Sequence, residues 1–162
     1  MSWVLARIDD RLIHGQVIVA WGLRMNPRRI WIVDDAAAAD PWERELLSSA
    51  APDIDVRVVT VAEAAAHWRE EAAAEGGAFL LVRGLGPARA LVEAGAAVQR
   101  FNVGGIHYAP GRDKVHDYVY LDAADRDAAR ELLARGVELE VQDVPASRAI
   151  PLTALDNSLT RS

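Results

Sequence analysis

The chain has 162 residues, 51% of them apolar and 26% charged, which fits one globular domain with a sizeable core and excludes wholesale disorder. The net charge of −6 at pH 7 argues against nucleic acid or an anionic membrane surface as the main partner. Cysteine is absent, which excludes disulfides, thiolate catalysis and cysteine-bound metals.

The sequence contains no signal for a membrane. No apolar run approaches the roughly 18 residues that a spanning helix needs. The N-terminus reaches Arg7 and Asp9 too early to contain the apolar core of a signal peptide. We therefore expect a cytoplasmic protein.

Short runs rich in β-branched residues alternate with longer alanine-rich runs. Strands are predicted over residues 3–8, 29–34, 56–60, 78–82, 98–103, 118–121 and 137–141. Helices are predicted over residues 14–25, 41–50, 60–74, 87–94 and 123–134, with a last helical turn in a tail that begins near residue 151. Asp40 and Thr60 are the predicted N-caps of two helices, and Glu63 completes a capping box with Thr60.

This alternation predicts an α/β fold: a single three-layer domain over residues 1–162, with a mostly parallel seven-stranded sheet and helices on both faces. Continuously apolar strands such as residues 78–82 are typical of sheets that are covered on both sides. Ligand sites in such sheets lie beyond the C-terminal ends of the strands. The loops to search are residues 9–13, 34–39, 60–61, 83–86 and 104–114.

The first of these loops, between the first strand and first helix, is the richest in functional groups. Free backbone N–H groups and the positive end of a helix dipole make such a junction an anion site. A histidine there, His14, can act as a nucleophile towards a phosphoryl group, with Arg11 holding the phosphate and Asp9 or Asp10 fixing the imidazole tautomer. The predicted catalytic set is thus His14, Arg11, Asp9 and Asp10, and the further phosphate-supporting residues are Arg7, Gly15 and Gln16. From the residues alone, an equally good interpretation is a structural turn in which the aspartates cap the helix.

Four segments carry a family resemblance that extends over roughly residues 3–150. The run RIDDRLIHGQV resembles the signature of the enzyme IIB subunits of the mannose/fructose/sorbose family of the bacterial sugar phosphotransferase system. Three later segments resemble later parts of the same family in the same order: VDDAAAADPWERELLSSAAP, LVEAGAAVQRFNVGGIHY and LDAADRDAARELLARGVELEVQDVP.

The resemblance implies a cytoplasmic phosphocarrier that needs no cofactor. Its histidine, His14 by position, accepts a phosphoryl group from an enzyme IIA protein and passes it to a sugar that enters through the membrane enzymes IIC and IID. Arg11 is implied as the support for the phosphate. The sequence does not identify the sugar, and it leaves open whether the chain forms a homo-oligomer.

Some positions depart from the family pattern. Asp34 stands where the family often has Asn or Ser before Asp35, and Gln142 replaces a common arginine. Two other functions therefore stay open: a regulatory phosphoprotein of the same family that is not coupled to transport, and a non-catalytic module that binds phosphate or sugar. Residues expected beside the site or in partner docking are Asp35, Asn102, Gly104, Gly105, His107, Arg112 and Lys114, the last being the only lysine.

The remaining histidines and motifs point to structural roles. His67 is expected on an exposed helix face and His116 in a structural position just before a strand, and His107 is a candidate neighbour of the first loop. The histidines lack metal-ligand spacing, so no metal is predicted. A receiver domain is disfavoured because Val59 and Gly104 stand where it needs an aspartate and a lysine, and the glycines after residue 83 do not complete a dinucleotide-binding fingerprint.

Overall fold

The computed structural model describes residues 3–15 and 17–160. The strands in chain order are β1 (Trp3–Asp9), β2 (Arg29–Val33), β3 (Asp55–Val59), β4 (Ala78–Val82), β5 (Arg100–Gly105), β6 (Asp113–His116), β7 (Val119–Leu121), β8 (Glu138–Val141) and β9 (Ile150–Pro151). Seven of them form one sheet in the order β3-β2-β4-β1-β5-β8-β9, while β6 and β7 form a separate antiparallel hairpin. All neighbours in the large sheet are parallel except β8 and β9.

The helices connect these strands. They are a π-helical turn (Val17–Gly22) continued by α1 (Leu23–Met25), then α2 (Asp35–Ala39), α3 (Pro41–Ser48), α4 (Val61–Ala66), α5 (Trp68–Ala73), α6 (Leu85–Glu93), α7 (Ala123–Ala134), α8 (Leu152–Leu155) and a final 3₁₀ turn (Asn157–Thr160). The side chain of Asp40 caps α3, and Thr60 with Glu63 forms the capping box of α4, which confirms both predicted N-caps.

The core lies on both faces of the sheet. Every residue of β4 is buried, because this central strand is covered by helices on both sides. Its successive side chains belong to different apolar clusters: Phe79 packs beside Trp21 and Ile32, whereas Leu80 packs with Trp31 and the buried faces of α6 and α7. The sheet is therefore a stiff central layer, and the C-terminal ends of β1, β2, β4 and β5 meet at one edge.

The structure differs from the prediction in four places. The seventh strand of the sheet is β9 (Ile150–Pro151), not residues 118–121, which instead pair with β6 in the hairpin. His116 ends β6 and so lies within a strand. Residues 35–39, predicted as a loop, form α2, because Asp34 accepts a hydrogen bond from Ala37 N–H and starts a helical turn. The helix predicted over residues 60–74 is divided at His67 into α4 and α5.

Within the described ranges 3–15 and 17–160, no helix combines the length and the apolar character required to cross a membrane.

Candidate functional site

The carboxylate of Asp9 is the centre of the polar cluster at the end of β1. It is almost completely buried and receives three hydrogen bonds from Arg11: Oδ1 accepts from the backbone N–H at 3.1 Å and from Nε at 3.0 Å, and Oδ2 accepts from Nη2 at 3.0 Å. Arg7 Nη2 donates to the same Oδ2 at 3.3 Å. The hydrogen bonds with Asp9 raise the pKa of Arg11 further above its usual value. Asp9 therefore fixes the direction of the Arg11 side chain.

Arg7 lies beneath this carboxylate and is fully buried. Its Nη1 donates to the side-chain oxygen of Asn102 and to the carbonyl of Gln142, and its Nη2 donates to the carbonyl of Asp143 at 2.9 Å. The guanidinium carbon lies 5.3 Å from the centre of the Trp21 ring. Burial lowers the pKa of Arg7, and the neighbouring carboxylates oppose that effect. The sequence predicts that Arg7 supports the phosphate. Because its side chain is fully buried, Arg7 instead holds the Asp9 carboxylate from the interior of the fold.

His14 stands where the first loop enters the π-helical turn. Its carbonyl accepts from the N–H of Ile18 at 3.2 Å, which places it at the helix start as predicted. Its Nδ1 lies 3.1 Å from the carbonyl of Leu12, and since a carbonyl can only accept, Nδ1 is the protonated nitrogen. The other ring nitrogen, Nε2, is buried 3.8 Å from Asp9 Oδ2 and has no hydrogen-bond partner among residues 3–15 and 17–160.

The backbone of Leu12 explains why its carbonyl, and not a carboxylate, holds the imidazole. Leu12 has φ of +55°, in the left-handed region that non-glycine residues seldom adopt, and its N–H donates to the carbonyl of Asp9 at 2.9 Å. This tight turn brings the Leu12 carbonyl to His14. The expectation that Asp9 or Asp10 accepts a hydrogen bond from His14 is therefore wrong for this conformation. No signal in the sequence indicates the contribution of Leu12.

Asp10 binds His107, from the loop that follows β5. Its two oxygens accept from the backbone N–H of His107 at 2.7 Å and contact Nδ1 of the imidazole at 2.6 Å. Arg112 donates to the His107 carbonyl at 3.0 Å and pairs with Asp125 at 3.2 Å. These bonds join the loop after β5 to the loop after β1, so His107 does lie beside the first loop as expected.

Gly104 and Gly105 end β5 directly beside this cluster. A Cβ on Gly104 would overlap the guanidinium of Arg7, so only glycine fits there. A Cβ on Gly105 would stand 3.4 Å from Cε1 of His107 and 3.5 Å from both Nη2 of Arg11 and Oδ1 of Asp9. The space over Gly105 is therefore bordered by a guanidinium, an imidazole and a carboxylate.

The other predicted residues lie at or near this edge in different roles. Asp34, whose extra negative charge departs from the family pattern, caps α2 and pairs with Arg83 at 2.9 Å, so its charge is compensated. Asp35 accepts from the N–H of Val61 at 2.8 Å. Lys114 is exposed and pairs with Asp117 at 3.2 Å.

Gly15 and Gln16, the two residues after His14, are predicted from the sequence to support the phosphate. Gly15 has open space around the position of a Cβ, which leaves its backbone accessible to a ligand. Gln16, predicted to offer a backbone N–H, lies outside the described residues. Among the residues that the structure describes, no three His, Asp or Glu side chains are grouped so that they could hold a metal ion.

Sequence comparison identifies the family. The model of the sorbose subfamily IIB component of the phosphotransferase system matches residues 3–160. The chain belongs to this family. The sorbose-specific EIIB component of Klebsiella pneumoniae is 35% identical over 151 residues, which cover 93% of this chain and 92% of that protein. The mannose-specific EIIAB component of Escherichia coli strain K12 is 36% identical over 158 residues, and the chain spans about half the length of that relative, 49%.

Solved IIB structures have the same fold. The IIB domain of the sorbose permease from Klebsiella pneumoniae superimposes with a TM-score of 0.88 at 34% identity, covering 98% of both chains. The N-acetylgalactosamine-specific IIB component 1 from Escherichia coli gives a TM-score of 0.84 at 32% identity, covering 91% of this chain and 97% of that one. These findings confirm the resemblance and the predicted single α/β domain with a mostly parallel seven-stranded sheet. Membership makes the chain a IIB component of the phosphotransferase system.

Proposed function

We propose that this IIB component carries a phosphoryl group on His14. It accepts the group from an enzyme IIA protein on the cytoplasmic side and passes it to a sugar that enters through the membrane enzymes IIC and IID. The chain is then a protein-histidine phosphotransferase that needs no cofactor. The observation that carries the proposal is the position of His14 at the entrance of a helix, beside a guanidinium that Asp9 holds in place.

The chemistry is an in-line phosphoryl transfer in two steps. In the first, a ring nitrogen of His14 attacks the phosphorus of the donor's phosphohistidine, and the donor imidazole leaves with the electron pair of the broken P–N bond. The donor imidazole takes up a proton, in balance with the proton that the other nitrogen of His14 loses. In the second, a sugar hydroxyl oxygen attacks the same phosphorus, and the P–N bond to His14 breaks. The freed imidazole takes up a proton, in balance with the proton that the hydroxyl loses. Catalysis of this kind rests on positioning and on charge stabilisation.

Both nitrogens of His14 are engaged or covered in the conformation described above. Nδ1 donates to the Leu12 carbonyl, and Nε2 is buried near Asp9. The donor therefore reaches a ring nitrogen only after the imidazole turns away from this position. The His14 side chain is 17% exposed, so part of the ring already reaches the surface.

Arg11 is the cation that binds the phosphoryl group carried by His14. Its side chain is 40% exposed, and its Nη1 makes no hydrogen bond within the described part of the chain, whereas Nε and Nη2 are fixed by Asp9. A phosphorylated side chain carries a charge of about −1.5 to −2 near neutral pH. A pre-oriented guanidinium edge offsets this charge and the repulsion from the buried carboxylate.

The test is incubation with phosphoenolpyruvate, enzyme I, HPr and a cognate enzyme IIA, followed by mass spectrometry of the intact chain. We expect one phosphoryl group, labile in acid and stable in base, which peptide mapping assigns to His14. The variant His14→Ala should remain folded and unlabelled. The control His67→Ala removes an exposed histidine of α4–α5 and should be labelled like the wild type. Label on another residue would overturn the assignment, and its complete absence would favour a module that only binds phosphate or sugar.

A further inference from the structure

The pair formed by Asp10 and His107 is not used by the chemistry described so far. The carboxylate of Asp10 contacts Nδ1 of His107 at 2.6 Å and accepts from its backbone N–H at 2.7 Å. The His107 side chain is 52% exposed, while Asp10 is 24% exposed. Because Nδ1 faces a carboxylate, Nδ1 carries a proton, and Nε2 is the nitrogen left for another partner.

The position of His107 relates this free nitrogen to the proposed phosphate site. The Cε1 atom, which lies between the two ring nitrogens, borders the space over Gly105 from one side, and Nη2 of Arg11 borders it from another. No hydrogen bond of Nε2 occurs among residues 3–15 and 17–160. The imidazole of His107 and the guanidinium of Arg11 therefore face the same position over the backbone of Gly105, which the carboxylate of Asp9 also borders.

We propose that His107, oriented by Asp10, is a second residue that contacts the phosphoryl group in transit on His14. In its charged form Nε2 carries a proton and donates a hydrogen bond to a phosphoryl oxygen; in its neutral form the same atom has only a lone pair and repels that oxygen. No bond to phosphorus forms on His107, and its proton stays on the ring. This inference rests on the phosphocarrier function proposed above.

The charged groups around His107 come from three segments. From the first loop, Asp10 contacts the imidazole, and both Arg11 and Asp9 border the space over Gly105. From its own loop, Arg112 contacts the His107 carbonyl, with its charge paired to Asp125 of α7. A phosphoryl group that arrives over Gly105 adds negative charge beside Arg11 and Nε2, so binding of phosphate and protonation of His107 reinforce each other.

The alternative is that Asp10 and His107 only fasten two loops together. Two substitutions separate these roles. In His107→Asn the side-chain amide can replace Nδ1 as the donor to Asp10, but nothing replaces Nε2. In His107→Gln the amide reaches towards the position of Nε2 and donates at every pH. The pair His67 and Glu70, at 3.3 Å, is a second exposed histidine–carboxylate pair away from the site, so His67→Asn and His67→Gln are the matched controls.

The experiment measures the rate of phosphoryl transfer from enzyme IIA to the full chain at pH values from about 5.5 to about 8.5, the range in which histidine side chains gain and lose their charge. Rates are expressed as the ratio of each variant to the wild type, so that pH effects common to both proteins cancel. For His107→Asn we expect a ratio that falls to about one fifth or one tenth at the acidic end and returns towards one at the alkaline end, the size of one charge-assisted hydrogen bond in the transition state.

His107→Gln should keep most of the rate at both ends of the range, and the two His67 variants should stay at a ratio of one. A ratio for His107→Asn that does not change with pH would overturn the proposal. So would a loss of rate in His107→Gln as large as that in His107→Asn, because a pair that only joins the two loops needs a donor at the position of Nδ1, which glutamine does not supply. Failure of the phosphocarrier function is a distinct result: the wild-type chain itself would then take up no phosphoryl group on His14, whatever stands at position 107.

Discussion

The guanidinium of Arg7 occupies the space over Gly104 into which any side chain at that position would project. Arg7 belongs to β1 and Gly104 to the neighbouring strand β5. A glycine inside a strand weakens it unless another group needs the space. Here the space holds the buried guanidinium of Arg7, which donates a hydrogen bond to Asp9. Asp9 in turn orients Arg11. A backbone position in β5 thus determines the geometry of the exposed site on β1.

The first prediction concerns Gly104→Ala. The new methyl group meets the Arg7 guanidinium inside a packed interior, so we expect the free energy of unfolding to fall by about 1–3 kcal/mol. The displaced Arg7 should also disturb Asp9 and slow phosphorylation of His14. The measurements are urea unfolding and the transfer rate from enzyme IIA. Gly86→Ala is the control, because its Cβ has open space within α6 and alanine favours a helix by up to about 1 kcal/mol. Wild-type stability and rate in Gly104→Ala would mean that Arg7 moves aside without consequence.

The second prediction is that Asp9→Asn destabilises the fold. The change leaves the buried Arg7 without its carboxylate partner, and breaking a buried ion pair from one side costs about 3–5 kcal/mol. Asp55→Asn removes a carboxylate from an exposed arginine pair in β3 and should cost only about 0–1 kcal/mol. Equilibrium unfolding of both variants at pH 7 gives the comparison. Equal losses in the two would show that Asp9 is no more important for stability than a surface carboxylate.

The third prediction is that Arg11→Lys slows phosphoryl transfer by about tenfold or more while stability hardly changes. Lysine keeps the charge but cannot bind Asp9 through two nitrogens and also present a third to phosphate. A loss of roughly 1.4 kcal/mol in the transition state already corresponds to a factor of ten. Arg57→Lys is a close control, since Arg57 also binds the aspartate two residues before it through Nε and Nη2. Transfer at the wild-type rate in Arg11→Lys would reduce Arg11 to a structural partner of Asp9.

Local patterns made most of the fold predictable. The strands β2 and β4 are short and largely apolar runs, and such a signal is contained in neighbouring residues. The short α2 (Asp35–Ala39) has no apolar periodicity, and β6 (Asp113–His116) consists mainly of charged and partly buried residues, so neither was predictable. The place of β9 in the sheet depends on its pairing with β8. A strand of two residues has too short a pattern for this pairing to be predicted from the sequence.

In the candidate site too, features within one loop were predictable, whereas contacts between distant segments were not. His14, Arg11 and Asp9 could be brought together from the sequence because they share one loop at a strand end. The contact of Asp10 with His107 joins residues 97 positions apart, and the burial of Arg7 depends on bonds to residues of β5 and of the segment after β8. The left-handed backbone of Leu12 has no sequence signal, since leucine seldom adopts it. Such features appear only when distant segments are assembled.

The last prediction concerns docking of the phosphodonor at the edge formed by residues 7–13, 34–39 and 104–114. Arg112 is held by Asp125 and the His107 carbonyl. Lys114 of β6 is 57% exposed and pairs with the exposed Asp117, so it is the more available of these two basic residues to an acidic enzyme IIA surface. Charges of this kind act mainly on the encounter rate and are screened by salt. Lys114→Glu should therefore slow phosphorylation by enzyme IIA at low ionic strength, and the difference should shrink as salt is added. Arg135→Glu makes the same change of charge just after α7, at the opposite edge of the sheet, and should have no effect. If both variants slow the reaction equally, the effect comes from net charge and this loop is not part of the docking surface; if neither does, Lys114 does not meet the donor.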